Sequence, residues 1–252
     1  MLPQIIFYIA FYIIGVVLGS FFTLATYRIP LKQDILYTRS YCPKCNNKLK
    51  AWDLIPILSY IFLKGKCRYC HEKISPRYII IEFFSGLFYL LFVLSLKIDI
   101  FNIDVLKIVE LLYGTLIISS FFIIGGIAKE TGKLFKGTII FGLIISSIYM
   151  IYLYILGNNI YRYIIYLVAI IMLLILQKLI KTDKYKKVCD IMIMLIFSVI
   201  VTNEIIFIAS TVFALSIYLI LYLITKRKNT NYIFYFSFLN ILFLIIYNFI
   251  FI

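Results

Sequence analysis

Four of the chain's five cysteines stand in two pairs, Cys42-Pro43-Lys44-Cys45 and Cys67-Arg68-Tyr69-Cys70, separated by 21 residues. A Cys-x-x-Cys turn aims two sulfurs at one point, and two such turns complete a tetrahedral four-sulfur site for Zn²⁺. The interval slightly exceeds the usual ~15–20 residues, but the inner loop only has to return to the metal, and extra length adds little closure entropy. Two local disulfides or a redox pair are the other chemistries this pattern offers. The remaining candidates are carboxylates. The chain has 11 Asp and Glu residues. Among those at the edges of apolar runs, where a carboxylate and water can meet at a membrane, Glu82 and Asp190 open runs that follow strongly basic segments.

The elements that must position these groups are almost all hydrocarbon. With 64% hydrophobic and 14% charged residues, an ordinary soluble protein is excluded and an all-α polytopic membrane protein is expected. The net charge of +14 is read as loops held beside anionic lipid on the cytoplasmic side, not as a nucleic-acid surface. Runs of about 20 apolar residues give about eight transmembrane helices, near 5–27, 79–96, 106–128, 138–157, 164–180, 190–201, 205–225 and 232–252. The sixth is short, with Asn203 and Glu204 as its only break from the seventh. The first run is too long for a signal-peptide core and lacks a basic leader and a small-residue cleavage site, so no cleavable signal is expected.

Loop charge sets the topology. Segment 28–78 carries eleven Lys and Arg residues, 129–137 three, 178–189 five and 226–231 three. The intervening segments hold only Lys97, Lys107 and Arg162. A split of 22 to 3 predicts the basic loops in the cytoplasm and both termini outside. The four-cysteine loop then lies between the first and second spans in a reducing compartment, where thiolates persist and disulfides do not; that favours a zinc knuckle ligated by Cys42, Cys45, Cys67 and Cys70. The apolar stretch from Trp52 to Tyr60, inside the loop, is expected to pack on the membrane face or on the knuckle. Glu82, about one turn inside the second span, is either a functional acid or a headgroup-level partner of Arg77 or Arg68.

A resemblance emerges from ordered motifs. Gly15-Val-Val-Leu-Gly19-Ser20 leads through Thr23 to Tyr27-Arg28-Ile29-Pro30. Then come Cys42-Pro43-x-Cys45, Asp53-x-x-Pro56-x-x-Ser59-Tyr60, Gly65-Lys66-Cys67-Arg68-x-Cys70, Ile74-Ser75-x-Arg77-Tyr78 and Glu82. Over about residues 15–90 this order and spacing resemble the amino-terminal part of the bacterial prepilin peptidases, GxGD-type membrane aspartic proteases that process type IV prepilins and related pseudopilins. Thr23 stands where that family usually has Asn. The topology derived from charge agrees with the family's.

The resemblance implies a division into an amino-terminal domain, residues 1–90, and a membrane peptidase-like domain, residues 91–252. It also implies two catalytic aspartates, one acting as base to a water while the other polarises the scissile carbonyl. Asp190 matches the second of these, but the family's Gly-x-Gly-Asp is here Lys187-Val188-Cys189-Asp190, without the glycines. The first aspartate's position falls on Ala128. Two readings stay open: proteolysis is impaired, which the sequence favours, or Glu130 substitutes, although two helical residues are about 200° apart. For Asp190 the plain structural alternative is a helix cap or first-turn acid paired with Lys186 or Lys187. The resemblance further implies S-adenosylmethionine-dependent N-methylation of the processed pilin, although the chain has no Gly-rich turn of the kind that cradles such a cofactor. Implied partners are a prepilin or pseudopilin and membrane lipid. A non-enzymatic assembly factor that binds pilin-like helices is the competing function. A transporter is disfavoured, because no polar residues recur at mid-span.

Overall fold

Lipid cannot satisfy backbone polar groups, so long apolar runs must close their hydrogen bonds internally as helices. The computed structural model describes residues 2–35, 37–180, 182–225 and 231–251, which contain helices and no strand. In order the helices are α1 (Leu2–Arg28), the short α2 (Leu58–Phe62), α3 (Arg77–Ser95), α4 (Val105–Thr131), α5 (Lys136–Ile155), α6 (Tyr161–Leu179), α7 (Asp183–Val201), α8 (Glu204–Thr225) and α9 (Tyr232–Phe251). A single 3₁₀ turn, Ala51–Leu54, precedes α2. Of the basic residues counted from sequence, Lys181, Lys226, Arg227 and Lys228 lie outside the described residues, as does the side chain of Lys184.

Eight of these helices are long, in keeping with the expected number, and 7 are long and apolar enough to cross a membrane. The eighth, α7, has 19 residues but carries charge in its first two turns, from Asp183 to Asp190. It starts seven residues before the expected boundary at 190 because lysines are good helix formers and Asp183 in the first turn meets Lys186 at 3.8 Å. Asp190 is therefore two turns inside a helix and is not its cap. The break expected at Asn203 and Glu204 is a tight turn: Asn203 Oδ1 accepts the Ile206 N–H at 2.9 Å and caps α8.

The chain forms two compact units, Met1–Asn102 and Ile103–Ile252. In the first, α1 and α3 run antiparallel at unusually close range. A Cβ placed on Gly15 would lie 2.8 Å from the Tyr89 Cβ, and one on Gly19 2.8 Å from the Ser85 Cβ and 2.9 Å from the Glu82 Cα. The Gly15-x-x-x-Gly19 pair thus provides the small-residue face by which membrane helices approach. At the other end of α1, Gln4 clamps the chain beyond α3, donating to the Ile98 carbonyl at 2.6 Å and accepting from the Ile100 N–H at 3.2 Å.

In the second unit α4 packs on α5 and α9, α6 on α7 and α8 on α9. Its core sets Phe121 edge-on to Phe197 at 5.7 Å and stacks Tyr113 on Tyr149 at 4.0 Å. The buried Ser198 hydroxyl donates to Asn240, the kind of interhelical polar contact that holds helices together in lipid. Arg162, opening α6, meets Glu204, opening α8, at 3.1 Å, which brings the starts of these two helices together.

Candidate metal centre and membrane-edge acids

The two cysteine pairs fold as copies of one turn. Cys42 N–H donates to Asn47 and its carbonyl accepts from Asn46; Cys67 N–H donates to Glu72 and its carbonyl accepts from His71, at distances of 2.8–3.0 Å. The residue after each second cysteine turns left-handed, Asn46 at φ 56° and His71 at φ 57°. Such a turn lets the N–H groups inside it point at sulfur. Single antiparallel bridges, Tyr41 with Lys48 and Lys66 with Lys73, close the base of each copy. The four Sγ atoms all lie within 4.8 Å of one another, and the described cysteines are free thiols.

Tetrahedral Zn–S bonds of about 2.3 Å put sulfurs about 3.8 Å apart. Cys42 and Cys70, at 3.9 Å, already meet that spacing, so the donor set fits a metal ion with four sulfur ligands and no open position. Cys42 and Cys67 are buried, Cys45 is half-buried and Cys70 is exposed. Burial alone would raise the Cys42 thiol, but the N–H groups of Cys45 and Lys44 and neighbouring thiols bring it down to about 7. For Cys70 the Glu72 N–H favours the thiolate, yet burial and the three other sulfurs push it up to about 12. Four thiols this close share their titration, and a bound cation would favour the thiolate at each of them.

Four ties hold the box to its helices. Arg28, closing α1 and itself 4% exposed, donates to the carbonyls of Asp34 and Thr38 at 2.9 Å, which fixes the lead-in to the first turn. Asp53, with its side chain 2% exposed, accepts from Arg68 Nε at 2.6 Å, the Tyr69 hydroxyl at 3.3 Å and the Lys50 N–H at 3.1 Å. Burial by itself would raise this carboxyl, but these donors and the Arg68 charge hold it below the usual aspartate value. Tyr60 donates to the Ile74 carbonyl at 3.3 Å. The fourth tie comes from the second span: Glu82, buried in α3, accepts the Ile57 N–H at 2.7 Å and a hydrogen bond from Ser20.

Ile57 is at the centre of a γ-turn, φ 61° and ψ −55°, with the Leu58 N–H bonded to the Pro56 carbonyl at 2.6 Å. A β-branched residue there is strained by about 1–3 kcal/mol. A charge-assisted hydrogen bond of about 1.5–3 kcal/mol to Glu82 offsets it. Glu82 is therefore a paired residue, and Arg68, one of its expected partners, pairs with Asp53.

The other acids are placed differently. Asp190 is 7% exposed. One of its oxygens accepts from the Gln177 amide at 2.6 Å and the other faces the Leu134 N–H at 3.4 Å. Gln177 also donates to the Lys186 carbonyl at 3.2 Å. Ala128 is fully buried, and its carbonyl accepts from the Asn231 side chain and from the Gly132 N–H at 2.8 Å. The helix continues unbroken through Glu130, which is exposed, to Thr131. Gly132 at φ 68° ends it. No unwinding brings Glu130 to the face that Ala128 occupies. Sequence reasoning missed Gln177 and Asn231 as partners here, and it read Arg28 as loop charge and as part of a motif without finding its contacts. The available signal was a lone amide in the apolar run 164–180 and a basic residue directly before Ile29-Pro30.

Residues 13–96 match a family model described as the bacterial peptidase A24 N-terminal domain. Over 87 residues the chain is 45% identical to a prepilin leader peptidase/N-methyltransferase of Vibrio cholerae, covering 31% of this chain and 34% of that protein. It is 49% identical over 67 residues to a protein of the same name from Bacillus subtilis, covering 27% of each, and 37% identical over 84 residues to one from Myxococcus xanthus, covering 33% and 25%. The matches thus span about a third or less of those relatives' length. No solved structure matches the chain. The matched segment lies within the first compact unit and contains the four cysteines, all four ties and Glu82.

Proposed function

The amino-terminal third of this chain belongs to the bacterial prepilin peptidase family, and from that premise we propose that the protein engages type IV prepilins or pseudopilins at the cytoplasmic face of a bacterial plasma membrane while its own leader cleavage is impaired. The second half is supported by the surroundings of the two positions that the resemblance assigns to the family's aspartates. One is the buried methyl group of Ala128, which can neither activate water nor share a proton. The other, Asp190, has its carboxylate engaged by Gln177 and by the Leu134 N–H, which supports a structural role. The carboxyl of Glu130 is on an exposed face of an unbroken helix, which argues against its standing in for Ala128.

In this reading the four-cysteine box holds zinc. A four-cysteine set leaves no open coordination position, so the metal supplies a crosslink between the two turns and no reactive water. Cys42, Cys45, Cys67 and Cys70 would hold it, and Asp53, Arg28 and Tyr60 orient the turns around them. Transfer of a methyl group from S-adenosylmethionine requires the free amino terminus that cleavage creates. A member with impaired cleavage would therefore methylate only pilins cut elsewhere.

The test is co-expression with a cognate prepilin in a host lacking other prepilin peptidases, read by mass spectrometry of the pilin. Uncleaved prepilin that co-purifies with the chain supports an assembly factor that binds pilin helices. Efficient cleavage that disappears in Asp190→Ala would show an intact acid site and overturn the impaired reading.

A further inference from the structure

The loop that carries the cysteines leaves an apolar surface uncovered within the first unit. Trp52, Ile55, Leu58 and Ile61 are 55%, 46%, 51% and 56% exposed, and Phe62 is 78% exposed. In a soluble protein such a patch marks a contact surface. Here its height relative to the membrane is set by Glu82. That residue is five positions into α3, about 7.5 Å along the helix axis from its start, and its carboxylate accepts the Ile57 N–H at 2.7 Å. The segment around Ile57 is thereby drawn alongside the first turns of α3, a helix long and apolar enough to cross a membrane, and an interfacial segment there would bury its apolar face by about 5–10 Å. Both ends of the loop are continuous with spans, α1 and α3, so it cannot swing away.

Beside this patch is a cleft of about 420 Å³ lined by Tyr60, Lys64, Lys66, Lys73 and Ser75, and closed by Pro76 at the foot of α3. The three lysines are exposed, and no carboxylate lines the cleft. Across segment 28–78 eleven basic residues stand against three acids, and one of the three, Asp53, is already paired with Arg68. Apolar side chains at acyl depth next to a lysine cleft at headgroup height are complementary to one partner chemistry, a lipid with an anionic head.

We propose that the segment Trp52–Phe62 is an interfacial anchor and that the lysine cleft beside it takes the phosphate headgroup of an anionic phospholipid, so that the cysteine box is held flat against the membrane. Each lysine near an anionic surface contributes about 1 kcal/mol, so the cleft selects anionic over zwitterionic lipid.

The chain has one tryptophan, Trp52, which makes the test direct. The full chain is reconstituted in bilayers holding a fixed fraction of dibrominated phosphatidylglycerol or dibrominated phosphatidylcholine, and quenching of Trp52 is measured. Quenching by both lipids, at least about two-fold stronger for phosphatidylglycerol, is expected, and inorganic phosphate at constant ionic strength should leave it unchanged. Lys64→Gln, Lys66→Gln and Lys73→Gln together should remove the preference while quenching by phosphatidylcholine persists. Phe62→Ser with Ile61→Ser should weaken both. Equal quenching by the two lipids in the unaltered chain overturns the headgroup assignment, and relief by inorganic phosphate assigns the cleft to a free anion. Emission at the solvent-exposed wavelength without quenching overturns the anchor. Shielding from both brominated lipid and aqueous iodide gives the surface to another protein or a second copy.

Discussion

Replacing Gly19 with Ala adds one methyl group where the structure has no room for it. The new Cβ would lie 2.8 Å from the Ser85 Cβ, 2.9 Å from the Glu82 Cα and 3.2 Å from the Ile81 carbonyl oxygen. Carbon atoms prefer about 3.5–4.0 Å, so α1 and α3 must separate by close to 1 Å, because two of the three obstacles are backbone. Overpacking of this kind costs about 1–3 kcal/mol. The damage also travels, since Glu82 moves with α3 and its 2.7 Å bond to the Ile57 N–H stretches. That forfeits part of a charge-assisted hydrogen bond of about 1.5–3 kcal/mol and leaves the strained turn at Ile57 unsupported. The expected result, at about 2–4 °C per kcal/mol, is a fall of roughly 5–15 °C in the apparent Tm of detergent-solubilised protein, together with faster loss of metal to a chelator. Val17→Ala, on a side chain 53% exposed and facing away from α3, is the control and should shift neither. If Gly19→Ala keeps the Tm and metal retention of the unaltered chain, the close packing of α1 on α3 does not hold the loop and the argument for the four ties fails.

Three other outcomes are expected. Protein purified without chelators should contain about one zinc per chain, and Cys42→Ser or Cys67→Ser should abolish it, because each removes a buried sulfur from a set that has no spare ligand. Asp53→Asn should lower stability at neutral pH by about 1 kcal/mol or less, discounted because its partner Arg68 is 46% exposed. The carboxyl of Asp53 is held below its ordinary value, so its contribution is complete above the unfolded value of about 3.9 and is lost as the pH falls through the lower folded value. The gap in unfolding midpoint between Asp53→Asn and the unaltered chain should close in that acid range, and a gap that persists there would contradict the assignment. Gln177→Ala should destabilise by about 1.5–3 kcal/mol through loss of the bond to Asp190, whereas Asp190→Asn, which keeps an acceptor, should be milder in a thermal melt. The reverse order would remove the case for Asp190 as a structural acid.

Much of the first unit was legible in the sequence because its chemistry is local. A Cys-x-x-Cys turn carries its geometry within four residues, whereas in the sequence Gly15 and Gly19 are only part of a motif, and the structure adds their close contact with α3. The partner of Glu82 could not be read in the same way: charge suggested Arg68 or Arg77, and the structure adds a backbone N–H exposed by a left-handed isoleucine, which no side-chain inventory anticipates. In the second unit the periodic apolar runs located every long helix. The start of α7 was missed because its first two turns are polar and helix formers such as lysine extend a helix past the apolar boundary. Gln177 and Asn231 escaped notice for a related reason. A single amide in a long apolar stretch, such as Gln177, or at the end of a polar loop, such as Asn231, carries no pattern, and its meaning comes only from which helix end it meets.

Those amides bear on how Asp190, the lone buried acid among the described residues of this unit, is held. A buried carboxylate without compensating donors is expensive, so Asp190 is stable where it stands only if neighbouring groups supply hydrogen bonds. Around Asp190 the compensation is complete on one side, with the Gln177 amide at 2.6 Å, and long on the other, with the Leu134 N–H at 3.4 Å. The Ala128 carbonyl is capped by Asn231. The side-chain oxygen of Gln177 is buried without a protein partner, so this network was completed around Asp190 and not around the glutamine. An acid retained for catalysis would need one carboxylate edge turned toward water and substrate. An acid held for structure needs its donors, and under the proposed reading the Gln177 amide and the Leu134 N–H are those donors.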